Sequence, residues 1–135
     1  MTVLGIDPGE RRVGVAAADL ETRFARPVEV IDVSRVDPVS RIDALVRELD
    51  VTCVVVGKPV GLSGREGAAV ERQRTLVDAL RSRLDVDVTE YDERLTTVVA
   101  ENAMRAGGTR SKQRKAKRDA VAAQVMLQGY MDATR

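Results

Sequence analysis

Histidine and tryptophan are absent from this chain of 135 residues, and cysteine occurs once. Without histidine there is no Ser-His or Cys-His nucleophile, no histidine general base and no histidine-ligated metal. One cysteine builds neither a zinc finger nor an internal disulfide. Cys53 reads instead as a small buried hydrophobe within Val51-Thr52-Cys53-Val54-Val55-Val56. Such sparing use of cysteine fits the reducing cytoplasm. Aromatic residues are nearly missing, with one Phe and two Tyr, so Val, Ala and Leu have to build the core by close packing. No apolar run approaches the length of a membrane span, and the first residues lack the basic-then-apolar pattern of a signal peptide. The expectation is one cytoplasmic domain over residues 1–135 with no membrane partner. What remains for chemistry is carboxylates, Lys, Arg, hydroxyls and a hard cation held by oxygen, for which Mg²⁺ or Mn²⁺ is the natural candidate.

Net charge is also nearly absent, at +1, but it is unevenly distributed. Arg105, Arg110, Lys112, Arg114, Lys115, Lys117 and Arg118 follow one another with no acid between them, which leaves the rest of the chain net acidic. Beside Gly107-Gly108 this block reads as a mobile arm that meets phosphates, or as a solvated charge run.

The first stretch, Val3-Leu4-Gly5-Ile6-Asp7-Pro8-Gly9, is an apolar strand ending in a carboxylate and a Pro-Gly pair. Pro8 and Gly9 suit the centre of a type II turn, which predicts a hairpin of residues 2–7 and 12–18 with Asp7 at the end of its first strand. A third strand is expected at Pro27–Val33, a helix at Pro38–Leu49, and at Val51–Gly57 a strand buried on both faces. A glycine-rich loop, a helix over Ala68–Leu84, a strand over Val86–Asp92 and a helix over about Leu95–Ala106 follow. The last helix is expected at about Lys117–Asp132. Three early strands, then helices alternating with two more, describe an α/β domain with a mixed sheet.

Ligands in open α/β sheets bind beyond the carboxyl ends of strands, where Asp7 and the pair Asp92-Glu93 are predicted. If those two strands are neighbours, their carboxylates converge. On the last helix Asp119, Ala122, Met126 and Tyr130 share one face, so an aspartate opens a stripe that has to pack on the sheet. A bound divalent cation would explain all these positions at once. Each acid also has a plainer role open to it. Asp7 could form an Asx turn, Asp92 or Glu93 could cap a helix, and Asp119 could pair with Arg118 or Arg94.

Gly5-Ile6-Asp7-Pro8-Gly9 with Arg12-Val13-Gly14-Val15-Ala16, Val56-Gly57-Lys58-Pro59, Gly64-Arg65-Glu66-Gly67, Tyr91-Asp92-Glu93-Arg94-Leu95-Thr96-Thr97 and Lys117-Arg118-Asp119-Ala120-Val121-Ala122-Ala123 resemble, in order, the signature blocks of the YqgF/RuvX family. The resemblance implies a ribonuclease H-like fold with a five-stranded mixed sheet flanked by helices, three strands antiparallel and two parallel. It implies a Mg²⁺- or Mn²⁺-dependent nuclease that matures the 5′ end of pre-16S ribosomal RNA, or a resolvase of four-way DNA junctions. Carried over by motif, the metal-holding acids are Asp7, Glu93 (or Asp92) and Asp119. Lys58 and Arg94 beside the strand ends could neutralise the scissile phosphate. Arg110, Lys112, Arg114, Lys115, Lys117 and Arg118 would hold flanking phosphates of structured RNA or branched DNA. A resolvase would act as a homodimer, whereas single-site RNA cleavage suits a monomer. Two other readings compete: a non-catalytic RNA-binding assembly factor, and a phosphotransferase of the actin and sugar-kinase type. The latter encloses ATP between two such domains, and this chain has the length of one.

Overall fold

Two strands buried on both faces decide where everything else goes. The computed structural model describes residues 1–58, 66–92 and 111–134, with side chains at 1–58, 67–92 and 120–134. β1 (Thr2–Pro8) and β4 (Val51–Lys58) lie side by side and parallel at the centre of a five-stranded sheet. Its order is β3-β2-β1-β4-β5, with β2 at Arg12–Asp19, β3 at Ala25–Asp32 and β5 at Asp87–Asp92. β1–β2 and β2–β3 pair antiparallel, and β4–β5 pair parallel.

Strand alternation sorts the core into two. Leu4, Ile6, Val54, Val56 and Val88 pack on one face with Ile42 and Leu45 of α1 (Pro38–Glu48) and Val77 and Leu80 of α2 (Glu66–Arg83). Val3, Val55, Ala16 and Ala18 pack on the other face beneath Ala123, Met126, Leu127 and Met131 of α3 (Ser111–Ala133). α1 starts where its sequence says it should. Asp37 accepts hydrogen bonds from the Ser40 amide at 3.2 Å and the Ser40 hydroxyl at 2.8 Å, with Pro38 in the first turn. It closes at Leu49, and Asp50 follows in the left-handed region at φ 53°.

Three expectations need correction. Pro8 pairs with Val13 and therefore belongs to β1, so the turn consists of residues 9–11 rather than being centred on Pro8-Gly9. Gly9 is required for space: a Cβ there would stand 2.5 Å from the Arg12 carbonyl oxygen. The third strand begins two residues early, at Ala25, and tolerates Pro27 because β3 is an edge strand and its register shifts at that point. The last helix starts at Ser111, so Lys112, Arg114, Lys115, Lys117 and Arg118 are helical rather than an arm. Residues 112–118 contain only Lys, Arg, Gln and Ala, all strong helix formers, and nothing interrupts them. Arg110 and the helix expected at 95–106 lie outside the described residues.

α3 lies unusually close to the sheet. An added Cβ on Gly5 would meet the Leu127 Cβ at 2.8 Å. At its C-terminal end α3 is fastened to the β2–β3 connection by side-chain amides. Gln128 Oε1 accepts from the Ala25 amide at 2.8 Å, Gln128 Nε2 donates to the Arg23 carbonyl at 2.9 Å, and Gln124 Nε2 donates to the Ala25 carbonyl at 3.1 Å. Arg23, in the left-handed region, donates to the Met131 carbonyl. Gly5→Ala should lower the urea unfolding free energy by about 1–3 kcal/mol, the usual cost of overpacking. Adding Leu127→Ala should not restore it, because the clash is with the Cβ that alanine keeps.

Candidate active site

Asp7 stands one residue from the end of β1, half-buried, on the face that α3 covers. Its cross-strand partner on β2 is Gly14. The register that pairs Ile6 with Val56 brings Gly57 alongside Asp7 on β4 at its next step. The Asp7 carboxylate is therefore flanked within the sheet by two positions that carry no side chain. Gly57 is in turn opposite Tyr91 of β5. The row Gly14, Asp7, Gly57, Tyr91 thus crosses the α3 face, and Tyr91 meets the Tyr130 ring edge-on at 5.8 Å.

The sequence-predicted acids do not all come together. β4 lies between β1 and β5, so the strands ending in Asp7 and Asp92 are not neighbours and stand two strand spacings, about 10 Å, apart. Asp92 also has the parity of Val88, which belongs to the α1/α2 core, and not that of Tyr91. It is exposed, in register with Lys58 of β4, and both share the face opposite to Asp7. Glu93 and Arg94 lie outside the described residues.

Asp119 lies within α3, three and four residues before Ala122 and Ala123, which are buried at 6% and 0% exposure. The stripe expected from the sequence does pack: Ala122 and Met126 are buried, and Tyr130 seats on Tyr91. Because the C-terminal end of α3 is fastened at Arg23–Ala25 and Leu127 lies over Gly5, the helix leads back towards the end of β1 that carries Asp7. Position 119 is two turns along that path from Leu127. The basic residues at 112–118 continue beyond it. They are thus brought to the carboxyl edge of the sheet by a helix rather than by a loop.

No set of three metal-ligating side chains occurs among the described residues. The donor chemistry that the site does have is carboxylate oxygen without nitrogen or sulfur, which fits a hard cation such as Mg²⁺ or Mn²⁺. Cys53 is not a candidate ligand. It is half-buried on β4, and burial pushes its thiol above the usual range, as burial also does for Tyr130 beside it.

Comparison with known proteins decides the family. A family model described as "RuvX: Holliday junction resolvase" matches residues 1–133. This chain belongs to the RuvX family. A candidate pre-16S rRNA nuclease of Chloroflexus aggregans is 42% identical over 135 residues, covering 99% of this chain and 95% of the relative. One of Acetivibrio thermocellus is 40% identical over 138 residues, covering 98% and 96%. Among solved structures, RuvC of T. thermophilus in complex with a Holliday junction substrate is similar with a TM-score of 0.60 at 21% identity, covering 98% of this chain and 95% of that one. Fowlpox virus resolvase with Holliday junction DNA is similar with a TM-score of 0.60 at 10% identity, covering 98% of both. At such identities the likeness is one of fold, and the fold is ribonuclease H-like. The RuvX blocks around Asp7 and Tyr91-Asp92 thus fall at the carboxyl edge of that sheet. The glycines at 14 and 57 stand in the row beside Asp7, a placement that became readable only from the register.

Because burial holds the proton on Cys53, iodoacetamide at neutral pH should alkylate it much more slowly than a free cysteine peptide. Unfolding in urea should remove the difference.

Proposed function

We propose that this RuvX-family chain is a divalent-metal-dependent nuclease that hydrolyses phosphodiester bonds in structured nucleic acid, with the 5′ end of pre-16S rRNA as its substrate. The observation that carries the reading is Asp7, held at the carboxyl end of a central strand between two glycine positions, on the face that α3 approaches with Asp119. The rRNA substrate is supported by relatives about 40% identical over almost the whole chain.

Asp7, Glu93 and Asp119 would hold the metal. Asp92 lies on the face opposite to Asp7, which favours Glu93 as the acid of that motif. When bound, Mg²⁺ or Mn²⁺ supplies an acidified water and neutralises charge on the leaving oxygen. The chain's own part is positioning. The carboxylates fix the reacting phosphate against the strand ends for in-line attack, while Arg94 and Lys58 offset its charge over the edge of the sheet. The basic turns of α3, Lys112 to Arg118, and Arg110 before them would bind flanking phosphates without reading sequence. With one Phe and two Tyr in the chain, stacking on bases contributes little, which favours recognition of backbone shape. The cytoplasm is the compartment such a substrate implies, and no helix among the described residues is long and apolar enough to cross a membrane.

A second reading, resolution of four-way DNA junctions, is favoured by the family description and by the RuvC-like fold. It would require two copies related by a two-fold axis. The two are separated by incubating the protein with a structured precursor-rRNA 5′ fragment and with a four-way junction, in Mg²⁺, Mn²⁺ and EDTA. Cleavage of the RNA that needs metal and stops in Asp7→Asn is the expected result; symmetric paired nicks in the junction would select the resolvase. Cutting of neither would select the non-catalytic assembly factor. Asp7→Asn and Glu93→Gln should each lower cleavage by about 10²–10³-fold, the scale of several kcal/mol of lost charge stabilisation. Both should still bind RNA. Asp92→Asn should remain within about tenfold of the parent.

A further inference from the structure

The β1–β2 turn carries chemistry that the proposed cleavage site leaves unused. Because β2 runs antiparallel to both β1 and β3, the end of β1, the start of β2 and the end of β3 meet at one edge of the sheet, the edge that bears Asp7. Arg11, Arg12, Asp32, Val33 and Ser34 line a cleft of about 400 Å³ there. The cleft is braced by the backbone: Arg12 is in register with Asp32, and the Val33 amide donates to the Arg11 carbonyl at 3.0 Å. Arg11 is exposed and has no ion pair among the described residues, and the Arg35 side chain is 84% exposed.

Two acids sit nearby. Glu10 is exposed. The Asp32 carboxylate is engaged locally, accepting from the Ser34 amide at 3.0 Å and the Ser34 hydroxyl at 2.6 Å, with Arg35 Nε at 3.8 Å. Those contacts hold Asp32 below its usual carboxylate range, led by the Ser34 hydroxyl, so it remains an anion already provided with partners. The guanidiniums of Arg11 and Arg35 are left facing solvent at the rim.

We infer that Arg11 and Arg35 form a second phosphate-contact site on the β2/β3 side of Asp7. A nucleic-acid backbone that reaches the carboxylates then continues over the hairpin end of the sheet. The inference rests on the proposed nuclease reading for what occupies Asp7, but its own content is a contact with phosphodiester charge. β3 ends two strand spacings, about 10 Å, from β1, on the side away from β4 and β5. Beyond the reacting phosphate, whose charge Lys58 and Arg94 offset, the backbone would thus be held at a further point by Arg11 and Arg35. A backbone fixed at two points keeps its orientation in the site, which a single contact would not enforce.

The test is binding without turnover. Fluorescence anisotropy of the full chain with a labelled RNA stem-loop, and separately with a labelled four-way DNA junction, is followed in EDTA across a KCl series. Arg11→Gln and Arg35→Gln are compared with Arg26→Gln, an exposed arginine at the opposite end of β3. On whichever probe the parent binds, each of the first two should weaken binding severalfold. Each should also reduce the slope of log affinity against log salt by about 1, the signature of one lost phosphate contact. Arg26→Gln should leave the slope unchanged. Slopes for Arg11→Gln and Arg35→Gln that match the parent would overturn the inference, as would a parent that binds neither probe. Adding Mg²⁺ or Mn²⁺ to the same samples tests the nuclease reading independently. A parent that binds with the Arg11-dependent slope and does not cut would remove the nuclease assignment and leave the phosphate contact standing.

Discussion

The closeness of α3 to the sheet is the constraint on which the rest depends. A helix can lie this near a β-surface only where side chains are missing or small. Gly5 supplies the gap beneath Leu127, and Ala16, Ala18, Ala25 and Ala123 line the same interface. The rings at this interface, Tyr91 and Tyr130, meet over β5, away from the close approach at Gly5. The closeness of α3 is also what connects chemistry to fold. The face that α3 covers is the face of Asp7, and the helix delivers Asp119 and the basic residues ahead of it to the carboxyl edge. The amide contacts of Gln124 and Gln128 with the β2–β3 connection fasten the far end, so the helix axis is anchored and its N-terminal turns are aimed.

At that edge a sheet offers two kinds of position, and alternation keeps them apart. Asp7 and Tyr91 share one face, whereas Lys58 and Asp92, one step further along their strands, share the other. Adjacent acids in a motif are therefore not interchangeable, since a step of one residue moves a carboxylate through the sheet. The glycines at 14 and 57 have a matching significance. They place no side chain in the row on either side of Asp7, and both glycines are themselves buried.

Much of this architecture is legible in the chain itself. The double burial of β4 follows from its unbroken apolar run, the span of α1 from the helical spacing after Pro38, and the packed stripe of α3 from the spacing of Ala122, Met126 and Tyr130. What failed were inferences from residue type at a turn and in a charge run. Pro8-Gly9 suggests a type II turn, but strand pairing extends through Pro8, and the glycine answers a close backbone approach instead of a positive φ. The basic block beside Gly107-Gly108 suggests an arm, yet its residues are strong helix formers and join a helix already anchored by its apolar half.

By itself, the sequence determined the alphabet of the chemistry and the periodicity of each element. Both are local properties: with no histidine and one cysteine, an oxygen-ligand site is the natural kind, and apolar spacing sets whether a segment is strand or helix. Only the tertiary structure decided that Asp7 and Asp92 stand on opposite faces of the sheet. Strand order inserts β4 between Asp7 and Asp92, register sets glycines beside Asp7, and parity separates those two acids. Those are relations between segments distant in the chain. They arise from how hydrogen-bonded strands align and which faces bury together, and no window of the sequence contains them.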